Sequence, residues 1–204
     1  MTALDQCTEE IPVTVAAAEL AAGLTAVLPH VGLRRAQTGP ELTCIQLTVE
    51  PGQVTLAGTD RYTLGVYTIP ADNRAAADGF LLKRQDAKAI LGLIGRPGPG
   101  HPAVLGYHRN ELTIDTSAGS LRCSGETGSY PDWGRLLEGT PADLHPGRDG
   151  LVIGFNPEYL GRFAKAREHP SDPMKLTIRG PAKAAKVQIG ERFHGLIMPV
   201  RLPR

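Results

Sequence analysis

The chain has 204 residues, 41% of them apolar, and its 22 Lys and Arg nearly balance 21 Asp and Glu to leave a net charge of +1. That length and mixture suit an ordinary globular protein with at least two packed units, and they exclude a fibrous, disordered or strongly polycationic chain. With so small a total, any contact with a polyanion must come from local placement of Lys and Arg.

The first ten residues, Met1 to Glu10, carry acidic side chains where a secretory signal needs a basic patch and an apolar run. No stretch approaches membrane-spanning length, so a cytoplasmic protein without membrane contact is expected. Leu20, Leu24, Val27 and Leu28 then share one face of a helix that begins near Ala16 and stops at Pro29, whose ring and missing N–H end it. Ile45, Leu47 and Val49 alternate with polar neighbours, Pro51-Gly52 marks a turn, and Val54 and Leu56 alternate again. A third strand is expected from Thr63 to Ile69.

The pattern recurs. Ala87, Ile90, Leu91 and Ile94 have helical spacing, and Gly95 with Pro97 ends that helix. Short alternating runs follow at Val104 to Tyr107, Leu112 to Ile114 and Leu121 to Cys123. A third copy opens at Asn156-Pro157, an N-cap residue before a proline at the first helical position, with a stripe of Leu160, Phe163 and Ala164. Its strands are expected at Met174 to Ile178, Lys186 to Ile189 and His194 to Val200. Helix starts roughly seventy residues apart define a repeated unit of one helix and three strands, hence an α+β fold. A one-faced helix on a small sheet cannot bury its apolar side alone, so three units leave one without a mate. The stretch from Glu138 to Gly150, rich in Pro, Gly and Asp, is the expected link between domains.

Catalytic and metal motifs are missing from the sequence. The three cysteines, Cys7, Cys44 and Cys123, form no CxxC pair and fit neither a disulfide framework nor a zinc site. The six histidines show no HExxH or HxH spacing, and there is no GxSxG or GxxxxGK[ST]. The run Arg96-Pro97-Gly98-Pro99-Gly100 has prolines where a phosphate loop needs N–H donors, so it reads as a turn. No cofactor, metal or enzymatic activity is expected.

Four segments, Thr59-Asp60-Arg61-Tyr62-Thr63-Leu64, Tyr130-Pro131-Asp132-Trp133, Phe155-Asn156-Pro157-Glu158-Tyr159-Leu160 and Ile197-Met198-Pro199-Val200-Arg201-Leu202, resemble in this order signature stretches of the bacterial DNA polymerase III beta sliding clamp. The resemblance implies a DNA-clamp fold of one and a half domains. Residues 1–138 match a complete middle domain of two units, 139–150 form a linker, and 151–204 match the second half of a last domain. It also implies a processivity factor for DNA replication that encircles double-stranded DNA without reading its sequence, and that binds short peptides of a DNA polymerase and a clamp loader.

The implied peptide pocket comprises Leu42, Thr59, Arg61, Tyr62, Leu64, Pro131, Arg135, Leu136, Ala184, Lys186, Leu196, Met198, Pro199, Val200, Arg201 and Leu202. By alternation alone, Leu42, Leu196 and Met198 read equally as core strand residues. Arg61, Tyr62 and Thr63 stand where the family commonly has a small residue, a His and an Arg, so a different partner preference is expected. The resemblance places Arg34, Arg35, Lys83, Arg84, Lys88, Arg162, Lys165 and Arg167 toward DNA phosphates, although an ordinary solvated face explains them as well. The resemblance further implies a ring of about twelve units related by pseudo-two-fold axes, in which an odd number of units per chain would flip the next chain and closure would take four chains, a homotetramer. The alternative is a clamp-like interaction module, a decoy or regulator, that does not encircle DNA.

Overall fold

The structure, a computed structural model, describes residues 11–33, 39–74, 76–95, 100–108, 110–138 and 152–202. Arg34, Arg35, Cys7, residues 96–99 of the expected turn and residues 139–150 of the expected link therefore lie outside the described residues. The first unit is β1 (Ile11–Ala16), α1 (Ala17–Val27), β2 (Cys44–Glu50), β3 (Gln53–Thr59) and β4 (Thr63–Asp72). The second is β5 (Ala77–Lys83), α2 (Arg84–Ile94), β6 (Pro102–His108), β7 (Glu111–Thr116) and β8 (Gly119–Ser124). After the short helix α3 (Trp133–Glu138), the third unit has α4 (Pro157–Arg162), β9 (Met174–Thr177), β10 (Ala185–Ile189) and β11 (Phe193–Ile197). All pairings are antiparallel.

The expected helices and strands are present, with one systematic addition. A strand precedes α1 and another precedes α2, so each of the first two units is strand, helix and three strands rather than helix and three strands. β11 is also shorter than expected, because Met198 leaves the ladder at its end.

α1 buries Leu20, Leu24 and Val27 against the sheet. Leu28 donates its N–H to Leu24 O, and Pro29 then forces a tighter turn over Leu28–His30. The helix lies so close to β3 and β4 that a Cβ on Gly23 would come within 3.0 Å of both Leu56 and Tyr67. Glu19 on its outer side is held by an ion pair with Arg192 of the third unit.

The third unit joins the first along one edge. β11 pairs with the first half of β4, from Phe193↔Tyr67 to Ile197↔Thr63, so its sheet continues that of the first unit. Gly65 and Gly195 face each other in this pairing. A Cβ on Gly65 would lie 2.5 Å from the His30 ring, and one on Gly195 would lie 2.5 Å from Leu64 O and 2.8 Å from Phe163. Two residues without side chains thus let His30, Phe163 and Phe193 pack against the seam, with ring centroids 4.6 Å apart for His30 and Phe163 and 6.0 Å for the two phenylalanines. Phe163, Phe193, Val187 and Ile197 are fully buried and belong to the same core as α1.

His30 is wholly buried, and neither ring nitrogen has a hydrogen-bond partner among the described residues. Burial, then the nearby Arg162 cation, lowers its pKa to about 3, while Asp60 pulls weakly the other way. Between the ordinary value of 6.5 and that value the unfolded chain binds more protons than the folded one. The stability that depends on a neutral ring is therefore complete above the ordinary value and is lost as pH falls toward the folded one. Urea midpoints measured from about pH 7 down to about pH 4 should fall, and His30→Leu should flatten that fall. An unchanged slope in the variant would contradict this account.

Candidate partner-binding cleft

The strand β4 is entered through a turn that Asp60 builds. Asp60 Oδ1 accepts hydrogen bonds from the N–H groups of Tyr62 (3.0 Å) and Thr63 (2.8 Å) and from Thr63 Oγ1 (3.2 Å). Thr59 Oγ1 donates to Thr63 O at 2.8 Å and closes the same turn. Arg61 at its tip has φ 76°, a conformation that glycine adopts without strain.

Across the turn, Arg162 of α4 donates to Asp60 Oδ2 at 2.5 Å and to Thr63 Oγ1 at 3.0 Å. Its guanidinium also lies 4.5 Å from the centre of the Tyr159 ring, which stacks on Tyr62 at 5.6 Å. Tyr62 O accepts from Met198 N at 2.9 Å, fixing the end of β11 beside the turn.

On the other side stands α3. Asp132 Oδ1 accepts from Arg135 N, Trp133 Nε1 donates to Gln46 Oε1 at 2.8 Å, and Tyr130 Oη donates to Ala57 O at 3.2 Å. These bonds anchor the helix over the outer face of the sheet, where Tyr130, Trp133, Leu137 and Leu196 pack on Ala57, Leu64 and Val66. Burial raises the Tyr130 hydroxyl well above the ordinary tyrosine range. Arg179, in the loop before β10, donates to Glu138 O at 2.8 Å and ties the third unit to the end of α3.

These elements enclose an open cleft of about 720 Å³. Leu64 and Leu196 face each other across the β4–β11 pairing and form its floor. Leu136, Tyr62 and Met198, respectively 50%, 57% and 39% exposed, are apolar surface at its rim. The cations Arg61, Arg135, Arg179, Lys183 and Lys186 stand around it with one carboxylate, Glu138. An elongated ligand with apolar side chains and acidic groups matches this lining.

Of the residues expected here, Thr59, Arg61, Tyr62, Leu64, Pro131, Arg135, Leu136, Ala184, Lys186, Leu196 and Met198 line the cleft together. Leu42 does not, being 2% exposed in a turn whose carbonyl accepts from Gly32 N. Pro199, Val200, Arg201 and Leu202 are not among the lining residues; Val200 N donates to Gly154 O, and a Cβ on Gly154 would touch Leu202. The chain turns away after Met198 because its next backbone partner is the segment before α4. Thr63, Leu137, Glu138, Arg179 and Lys183 line the cleft but were not expected. The polar loop carrying Arg179 and Lys183 offered no periodicity to place it.

The cations expected to face DNA divide into two groups. Arg84 donates to Leu28 O at 2.6 Å and Val31 O at 3.2 Å, closing the turn after α1, and Arg162 is committed to Asp60. Both are thus engaged in internal hydrogen bonds. Lys88, Lys165 and Arg167 are exposed, and Lys83 is partly exposed. Lys165 and Arg167 border a groove with Ala21, Ala22 and Thr25 of α1, whereas Lys83 and Lys88 border another with Leu33 and Thr43. α1 itself exposes the uncharged Ala18, Ala22 and Thr25, while the two flanking grooves mix these cations with Glu168 and Glu126.

No protein-family model matches the sequence, and no curated protein matches it. Solved structures do. A DNA polymerase sliding clamp from Pseudomonas aeruginosa superposes with a TM-score of 0.79 at 13% identity, over 99% of this chain and 70% of that one. A putative DNA polymerase III beta subunit from Eubacterium rectale gives 0.80 at 11% identity, over 98% and 68%. The beta subunit from Thermotoga maritima gives 0.76 at 14% identity, over all of this chain and 69% of that one.

The chain has the sliding-clamp fold. At such identities the likeness is one of fold, carried by the repeated units rather than by shared residues. Within the clamp fold of this chain, the Asp60 turn joins the first unit to the third. Asp60→Ala removes three hydrogen bonds and leaves Arg162 without its carboxylate, so it should lower unfolding free energy by about 2–4 kcal/mol. Arg61→Gly should leave stability unchanged or raise it by up to about 1 kcal/mol. Urea titration of the two variants checks both signs.

Proposed function

We propose that the chain is a non-catalytic, cytoplasmic sliding-clamp-like processivity factor for DNA replication. In this reading it assembles into a homo-oligomeric ring, a tetramer by unit count, around double-stranded DNA of any sequence. Its cleft receives short peptides of a DNA polymerase or clamp loader. The observation that carries the reading is the cleft between the first and third units, whose apolar floor of Leu64 and Leu196 lies within a clamp fold. Peptides with leucine or phenylalanine anchors and an acidic flank suit that floor and its five cations. Enclosure explains how a neutral α1 flanked by Lys88, Lys165 and Arg167 suffices, since a topological link needs only weak phosphate contacts and sliding requires them weak.

A second reading, a clamp-like interaction module that presents or blocks the cleft without surrounding DNA, draws support from the commitment of Arg84 and Arg162 to internal bonds. Retention on DNA separates the two. A ring loaded on nicked circular duplex should stay bound through a gel-filtration column and be lost when the circle is linearised. Equal loss from both forms would leave only the module. Under either reading, Leu196→Asp should weaken binding of a labelled apolar-acidic peptide at least about tenfold in fluorescence polarisation; unchanged affinity would remove the cleft from both.

A further inference from the structure

The first two units trade strands. β1, which leads into α1, pairs with β6, the first strand after α2, from Ile11↔Tyr107 to Ala16↔Pro102. β5, which leads into α2, pairs with β2, the first strand after α1, from Cys44↔Lys83 to Val49↔Ala77. Each leading strand also touches the end of its own unit. β1 meets β4 at Thr14↔Asp72 and Val15↔Ala71, and β5 meets the residues after β8 at Leu81↔Glu126.

The third unit repeats half of this arrangement. Its leading segment, 152–156, touches the end of its own unit at Gly154↔Val200. The other half has no counterpart among the described residues. β9, the equivalent of β2 and β6, pairs with β10 alone, and all four of its residues are exposed. Met174 and Leu176 stand opposite the buried Ile189 and Val187, on the core-facing side of the sheet. They are nevertheless 41% and 37% exposed, whereas the core-facing Ile45 and Leu47 of β2 and Ala103 and Leu105 of β6 are at most 2% exposed. An open edge with apolar side chains beside it is a surface that wants a strand.

We propose that a second copy of this chain supplies it, the leading segment 152–156 of each copy lying antiparallel along β9 of the other about a two-fold axis. The geometry of the first two units fixes the partner. What covers β2 and β6 is a leading strand whose other edge meets its own unit, and 152–156 is such a segment with its outward edge unpaired among the described residues. It cannot reach β9 of its own chain, because Val200 holds it beyond β11, on the far side of β10. An unrelated strand would cover β9 and leave 152–156 open, whereas two copies satisfy both edges at once. The register follows as well. Leu81, which touches its own unit through a single bridge as Gly154 does, sits opposite Gln46, a residue that points away from the core. Gly154 then belongs opposite Lys175, which brings Ile153 onto Leu176 and Phe155 onto Met174, two apolar pairs on the core-facing side.

This pairing deepens the ring reading by naming one of its joints, and it rests on the clamp fold rather than on encirclement. Sedimentation velocity at tens of micromolar tests it. The wild-type chain should sediment as a dimer or tetramer, and Leu176→Lys and Ile153→Glu should each halve that mass. Combining them sets an introduced lysine against an introduced glutamate at both ends of the two-fold pairing and should restore the mass. Circular dichroism confirms folding, and Met174→Lys makes the same change at a second exposed position if Ile153→Glu unfolds. A monomeric wild type, an assembly that Leu176→Lys and Met174→Lys leave intact, or folded single variants that the combination fails to rescue would each overturn the proposal. Retention on circular DNA reads the function separately. An assembly halved by Leu176→Lys that slips equally from circles and linear DNA overturns encirclement alone, and a ring that survives Leu176→Lys on circles overturns this joint alone.

Discussion

The close approach of two backbones at Gly65 and Gly195 is the constraint on which the architecture rests. β4 and β11 pair there with no side chain on the inner face of either residue, and the rings of His30, Phe163 and Phe193 take that space. A packed interior tolerates an added methyl poorly when the nearest atom is backbone, as Leu64 O is for Gly195. The same pairing sets Leu64 against Leu196 on the outer face. Inner packing and outer cleft are thus two sides of one strand pair, and the register that serves one serves the other.

Polar groups then lock the seam at its ends. Arg162 and Asp60 join α4 to the turn before β4, and Arg192 and Glu19 join the loop before β11 to α1. Both pairs are only partly buried, so their desolvation is incomplete and their main effect is to orient the third unit on the first. The unpaired imidazole of His30 between them is the opposite case, a buried polar group held neutral by its surroundings.

Much of the fold was legible in the sequence because the repeating elements are amphipathic at the right periods. Leu20, Leu24 and Val27 marked α1, and Ile45, Leu47 and Val49 marked β2, each by spacing alone. The leading strands were not legible. β1 has Pro12 within it and runs straight into an alanine-rich helix, and β5 combines Asp78 and Gly79 with the unbroken apolar run Phe80 to Leu82. β1 alternates only briefly, at Val13, Thr14 and Val15, and β5 does not alternate, so tertiary pairing rather than propensity makes them strands. In the cleft, the residues beside β4, α3 and β11 were recognisable from their motifs. The course of the tail from Pro199 to Leu202 was not legible because it depends on Gly154, a contact between segments far apart in sequence. The engagement of Arg84 and Arg162 was hidden for the same reason: a cation on a helix looks solvated until its partner's position is known.

β4 is ten residues long and carries β3 along one side, while its other side is divided between β11 at Thr63 to Tyr67 and β1 at Ala71 and Asp72. Thr68 N–H, in the gap, is taken by Arg192 O, and Tyr62 O by Met198 N. From Thr63 to Tyr67, the stretch that begins at the cleft, β4 is therefore paired along both edges. Whatever enters the neighbouring cleft must be recognised by the shape and charge of its side chains, since β4 offers no open edge there onto which it could be stitched.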